Sequence, residues 1–79
     1  MLVRPRWGTL KLYRNPSPTD WNEALNPVKV ETDVLLLVVG EYFEEDLWRR
    51  NHGTWYQVLY EGVPMWVHGK DVNAVGEKF

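Results

Sequence analysis

Apolar and polar residues alternate over residues 9–13, TLKLY, so that Leu10 and Leu12 fall on one side of an extended chain. This period of two is typical of a half-buried β-strand. Residues 34–40, VLLLVVG, form a short run of valine and leucine that ends at a glycine, which predicts a buried strand rather than a helix. Because the run is apolar throughout, it does not indicate which of its residues face the core.

Two later runs are rich in aromatic and β-branched residues: TWYQVLY at 54–60 and PMWVH at 64–68. Only Glu61, Gly62 and Val63 separate them, so the pattern predicts a β-hairpin. The following GKDVNAV predicts a single helical turn that leads into a short strand at about Val72 to Val75.

The segment of residues 14–33 lies between the first two predicted strands. Pro16, Pro18 and Pro27 remove backbone donors there, which predicts a long loop instead of a regular element. Apolar residues within it, Trp21 among them, indicate that the loop is ordered and packs against the domain.

These elements predict an all-β fold in which five short strands form a small barrel, because closure leaves little exposed sheet edge. The chain of 79 residues suffices for a single domain spanning residues 1–79. Residues 1–7 precede the first predicted strand, and we expect them to form a flexible N-terminal arm.

An enlarged loop, EYFEEDLWRRNHG at residues 41–53, is open to three arrangements. A short helix would place Glu45 with Arg49, and Asp46 with Arg50, at the favourable spacing of four residues. A protruding hairpin would pair Phe43 with Trp48, Tyr42 with Arg49 and Glu41 with Arg50 around the tip EEDL. The third arrangement is irregular structure. In each of them some aromatic side chains stay outside the core, which is typical of a partner surface.

Composition narrows the functional classes. The chain has no cysteine, eleven aromatic residues and a net charge of −2. Its basic residues gather near the N-terminus beside Trp7, and a nucleic acid would contact Arg4, Arg6, Trp7, Lys11 and Arg14. Four basic charges are fewer than the clustered basic face of most nucleic-acid-binding domains, which argues against such a partner.

The sequence contains few residues that could support catalysis or bind a metal ion. Ser17 lies between two prolines, and His52 and His68 are not spaced as in any known triad or metal motif. We therefore expect no enzymatic activity, no metal and no cofactor. The sequence also contains neither a signal peptide nor a membrane-spanning run, so we expect no membrane partner and a cytoplasmic or virion-associated protein.

Two stretches give the chain a family resemblance. GTLKLYRNPSP and TWYQVLYEGVPMWVHGKDV resemble the opening and closing segments of SH3-like barrels, in particular bacterial SH3 domains. The closing segment keeps the family order of Trp55, Val58, Gly62, Trp66 and Val67. It departs from the family at Met65, where a glycine is usual, and in the length of the loop before Trp55. The resemblance implies a five-stranded SH3-like barrel.

In the peptide-binding branch of that family an aromatic groove holds proline-rich ligands. The resemblance assigns Tyr13, Trp55 and Trp66 to the groove, whereas Asn15 and Asp71 stand where the family has tyrosines. An incomplete groove argues against proline-motif binding, which depends on aromatic ridges. Residues 14–33 correspond to the family's first long loop, which often contributes to partner binding.

These observations predict a non-catalytic module that binds a protein or peptide between the residue 14–33 loop and the residue 41–53 insertion. A stand-alone chain of this kind is compatible with a virus- or phage-encoded accessory protein. Alternatives are a cell-wall (peptidoglycan) targeting domain, a nucleic-acid-binding barrel, and a homodimer that uses the insertion. The expected partner-binding residues are Tyr13, Trp21, Tyr42, Phe43, Trp48, Trp55 and Trp66.

Overall fold

A computed structural model describes residues 1–6, 8–16, 24–29, 34–48 and 51–75. Over these residues the chain forms seven strands and one 3₁₀ turn, Gly69–Asp71. The strands are β1 Leu2–Pro5, β2 Thr9–Tyr13, β3 Ala24–Lys29, β4 Leu36–Glu44, β5 Gly53–Tyr60, β6 Val63–His68 and β7 Val72–Val75. They form one antiparallel sheet in the order β3-β2-β6-β5-β4-β1-β7, curled into a half-barrel that is compatible with an SH3-like barrel.

The core lies on the concave face of this sheet. Side chains alternate between the two faces of a strand, so buried residues recur at every second position, as at Leu10 and Leu12 of β2. The buried cluster comprises Val3, Leu10, Leu12, Leu36, Val58, Val67 and Val72. One residue or more from each of six strands therefore meets in a single core, which is typical of a small closed domain.

The hairpin of β5 and β6 is confirmed. Its strands pair from Trp55 opposite His68 to Tyr60 opposite Val63. The two residues between them, Glu61 and Gly62, both have positive φ, at 51° and 79°. This is the type I′ geometry, whose twist matches that of the flanking strands.

Three other predicted elements are also confirmed. The strand at residues 9–13 is β2, the apolar run of residues 34–40 lies mostly in β4, and the helical turn before Val72 is the 3₁₀ turn. His68 caps this turn, because its Nδ1 accepts a hydrogen bond from the Lys70 amide at 3.0 Å. No helix in the part of the chain that the structure describes is long and apolar enough to cross a membrane.

Two strands lie where the sequence predicted none, so the sheet has seven strands instead of five. Residues 1–7 were expected to form a flexible arm, but residues 2–5 are β1, which pairs with both β4 and β7 and buries Val3. Within the loop predicted at residues 14–33, residues 24–29 are β3, which pairs with β2. Pro27 is tolerated there because β3 is an edge strand, where a missing donor need not break a ladder.

A β-bulge interrupts the pairing of β4 with β5. Val38 lies opposite Val58 but Gly40 lies opposite Gln57, so Val39 is an extra residue in β4. A Cβ atom on Gly40 would lie 2.9 Å from Gln57 Oε1 and 3.3 Å from Gln57 Cβ, so a larger residue there would require the Gln57 side chain to move. Before the bulge the even-numbered residues of β4 face the core, and after it they face the outer side of the sheet.

The turn geometry predicts opposite effects at two glycines. At both Gly62 and Gly8 an added Cβ would meet nothing within 4 Å, but only Gly62 has a positive φ. We expect Gly62→Ala to lower the free energy of unfolding by about 1–2 kcal/mol through backbone strain alone.

Gly8→Ala is the matched control, and we expect it to be neutral or slightly stabilising because it restricts only the unfolded chain. Urea denaturation of both variants measures the difference. Equal losses of stability at the two positions would contradict the type I′ turn.

Candidate functional site

Within the insertion, residues 41–44 and residue 53 extend the β4–β5 hairpin. Tyr42 lies opposite Trp55, Phe43 opposite Thr54, and Glu44 opposite Gly53. The helical arrangement is therefore wrong for the residues described here, and the hairpin arrangement is right in kind but wrong in register. The last pair is Glu44 with Gly53, so eight residues of sequence separate the two strands instead of the four of the predicted tip.

Two carboxylates organise the first part of this loop, which we call the hairpin tip (residues 44–48). Glu44 accepts a hydrogen bond from the Asp46 amide at 3.1 Å, and Asp46 accepts one from the Trp48 amide at 3.0 Å. Such side-chain bonds to a backbone amide two residues ahead are typical of Asx-like turns. The tip is thus a turn that is ordered by hydrogen bonds within the chain.

The apolar side chains of the tip point into solvent. Trp48 is 96% exposed and Leu47 is 75% exposed, while Phe43, just before the tip, is 59% exposed. The acids Glu45 and Asp46 beside them are exposed as well. A large exposed aromatic side chain on an ordered turn is a frequent feature of protein interaction sites.

Trp55 occupies the opposite situation at the base of the hairpin. Its side chain is fully buried on the outer side of the sheet, and its indole Nε1 donates a hydrogen bond to the Asn51 carbonyl at 2.8 Å. Its ring meets Tyr13 edge-on at a centroid distance of 5.4 Å and His68 at 4.9 Å. A second, smaller cluster therefore lies outside the barrel core, covered by the end of the loop.

His68 has both ring nitrogens engaged in this cluster. Because Nδ1 accepts a hydrogen bond from the Lys70 amide, Nε2 must carry the proton and donate to the His52 carbonyl, at 2.7 Å. The ring joins the 3₁₀ turn to the loop, which is a structural role.

Tyr13 is the titratable group that the cluster perturbs most clearly. Burial, with a smaller contribution from the negative charge of Asp71, raises the pKa of the Tyr13 phenol from 10 to about 12. The phenol is therefore neutral throughout the physiological range.

The residues that the sequence singled out for partner binding separate into two groups. Tyr42, Phe43 and Trp48 are exposed on one hairpin, as expected. Trp55 and Tyr13 are buried and Trp66 is half-buried, so the groove residues implied by the resemblance lie mainly within the second cluster. The prediction for Trp21 falls outside the described residues.

The basic residues assigned to nucleic acid are dispersed. Arg4 and Lys11 are exposed, but they lie on β1 and β2, which three other strands separate in the sheet. Arg6 donates from Nε to Asn73 Oδ1 at 3.0 Å and from its guanidinium to the Val72 carbonyl, so it fastens the chain to β7. Arg14 is exposed, and Trp7 lies outside the described residues.

Two features of this site were not predicted from the sequence. The first is Leu47, whose position between Asp46 and Trp48 in a polar stretch indicates an exposed apolar pair. The second is the structural role of Asn51 and His68.

Among the described residues no group of three histidine, aspartate or glutamate side chains is placed to hold a metal ion.

The Tyr13 pKa predicts a pH dependence of stability. Since the folded pKa of about 12 lies above the unfolded value of 10, its contribution is complete below pH 10 and is lost as the pH rises toward 12. We expect the wild type to lose about 1–2 kcal/mol more than Tyr13→Phe over this interval. Denaturant titrations at each pH measure the difference, and parallel profiles for the two proteins would contradict it. The comparison with Tyr13→Phe removes every contribution that the two proteins share.

Comparison of this chain with models of protein families, with curated proteins and with solved structures gives no match. The fold and the site geometry are therefore what any functional assignment depends on.

Proposed function

We propose that this protein is a non-catalytic interaction module with an SH3-like fold, and that it binds a protein partner through the hairpin tip. The order of the elements supports the fold. β1 lies between β4 and the last strand, β4 to β6 form a meander, and β2 pairs with β3 within the segment that corresponds to the first long loop. A single 3₁₀ turn precedes the last strand, as it does in SH3-like barrels.

The observation that carries the proposed function is the exposure of Trp48. Tryptophan is enriched among the few residues that provide most of the binding energy at interfaces, because it buries a large area and loses few rotatable bonds. Leu47 adjoins it, and the two together form an apolar projection at the end of a nine-residue strand. The projection fits an apolar pocket on a partner.

Order in the tip favours binding as well. The hydrogen bonds to Glu44 and Asp46 fix the backbone around Leu47 before any partner arrives. A preordered loop loses less conformational entropy on association than a flexible one does, so more of the contact energy appears as affinity. The exposed acids Glu45 and Asp46 favour a pocket bordered by basic groups.

Trp55 supports the tip and is not itself the contact in this proposal. In the peptide-binding branch that the sequence resembles, the corresponding tryptophan forms an open groove. Here the Trp55 ring is fully buried and its Nε1 is bonded to the loop. We therefore place the contact at the tip, which belongs to the segment that is longer here than in the family that the sequence resembles.

Replacing Trp48 tests this function. We expect Trp48→Ala to weaken partner binding by at least about 30-fold, as is typical of a hot-spot tryptophan. The free energy of unfolding should stay unchanged, because the side chain is 96% exposed. Affinity capture from a lysate of the source organism, followed by titration of the captured partner, measures the binding, and urea denaturation measures the stability.

Val63→Ala is the matched control, since Val63 is also an exposed apolar residue but begins β6, where it pairs with Tyr60 at the end of β5 far from the tip. It should retain every partner of the wild type. If Trp48→Ala retains the same partners at the same affinity, the tip is not the contact.

A further inference from the structure

A row of apolar side chains crosses the outer side of the sheet, away from both the tip and the core. The register places Val75, Leu2 and Leu37 directly beside one another on three adjacent strands, and Leu59 and Pro64 continue the row on the next two. Residues directly opposite in an antiparallel pair share a face. We call these five residues the outer stripe.

The outer stripe is open to solvent. Leu37 is 46% exposed and Leu2 is 37% exposed, Pro64 is exposed, and Val75 and Leu59 are half-buried. Leu35, which precedes β4, is also half exposed. The stripe explains why residues 34–40 are apolar without alternation: Leu36 faces the core while Leu37 faces outward. A contiguous exposed apolar surface of this kind marks an interaction site more often than an isolated exposed leucine does.

The stripe is complementary to itself. Consider a twofold axis that runs parallel to the strands and passes over β4, the middle strand of the stripe. It brings Leu37 of one copy against Leu37 of the other, and Leu2 on one side of β4 against Leu59 on the other side. Val75 and Pro64 lie toward the edges of this contact, because the outer side of the curled sheet is convex and the two copies approach most closely at Leu37. The residues that face one another across the axis are apolar on both copies, as an isologous interface requires.

The charges next to the stripe match under the same axis. Since β1 and β5 both run antiparallel to β4, they run in the same direction. Arg4 lies two residues beyond Leu2, and Glu61 lies two residues beyond Leu59, so both are at the same end of the stripe. The axis therefore places Arg4 of one copy over Glu61 of the other, twice per dimer. Both residues are exposed.

We infer that the outer stripe is a self-association surface, and that the protein forms a twofold symmetric dimer in which two sheets pack face to face with aligned strands. Sheets packed in this way lie about 10 Å apart with strand directions within about 30°. The stripe crosses five strands and is about 19 Å long, which is small for a stable interface of about 800 Å² per partner. We therefore expect a dissociation constant of about 10–100 µM.

Sedimentation equilibrium from about 5 µM to about 500 µM tests the dimer, because this range brackets the expected dissociation constant. We expect a monomer–dimer equilibrium for the wild type, and a dissociation constant at least about tenfold higher for Leu37→Glu, which places two carboxylates on the axis. Leu47→Glu is the matched control, because it adds the same charge to an exposed leucine of the hairpin tip.

A charge exchange tests the geometry itself. Arg4→Glu and Glu61→Arg should each weaken the dimer about five- to tenfold, because each creates two like-charge contacts. The double variant should return to within about threefold of the wild type, because it restores both ion pairs.

Three results would overturn the proposal. They are a wild type that stays monomeric across the range, a Leu47→Glu variant that dissociates as much as Leu37→Glu, and a double charge variant weaker than either single one. Trp48→Ala should leave the dimer intact, so a failure of the dimer and a failure of the proposed partner contact are distinguishable.

Discussion

The buried indole of Trp55 is the contact on which the arrangement of the outer face depends. It stands on β5, faces Tyr13 of β2 and His68 of β6, and bonds through Nε1 to the loop at Asn51. One side chain thereby joins three strands to a loop. Burying a residue of this size contributes several kcal/mol, and here it does so outside the main core, on the outer side of the sheet.

Two successive carbonyls, those of Asn51 and His52, accept hydrogen bonds from the rings of Trp55 and His68. This fixes the end of the loop at the sheet surface, while the carboxylates of Glu44 and Asp46 order its beginning. The tip that carries the exposed Trp48 is thus ordered by its own carboxylates, and the second cluster holds the residues that precede β5 in the same hairpin.

Local chemistry made part of this structure predictable. The β5–β6 hairpin, the strand at residues 9–13 and the turn before β7 each have their determinants within a few neighbouring residues, and each was predicted correctly. β1 and β3 were not predicted because their determinants are distant: β1 has four residues and exists through its pairing with β4 and β7, and Pro27 in β3 is acceptable only at an edge. The exposure of Tyr42, Phe43 and Trp48 followed from their crowding with charges. The burial of Trp55 could not be predicted, since it depends on a loop that the resembled family lacks.

The bulge at Val39 is the position in β4 at which the strand can lose a residue and keep its side chains on the same faces. Inserting or deleting a residue elsewhere in the strand would exchange its core-facing and outward-facing side chains, and Leu36 and Leu37 would trade surroundings. Removing Val39 would make the pairing with Val58 and Gln57 regular, and the residues on both sides would keep the faces that they have now. Val39 therefore joins the segment of β4 that contributes to the core to the segment that leads to the tip, and it sets which residues of each segment face the core.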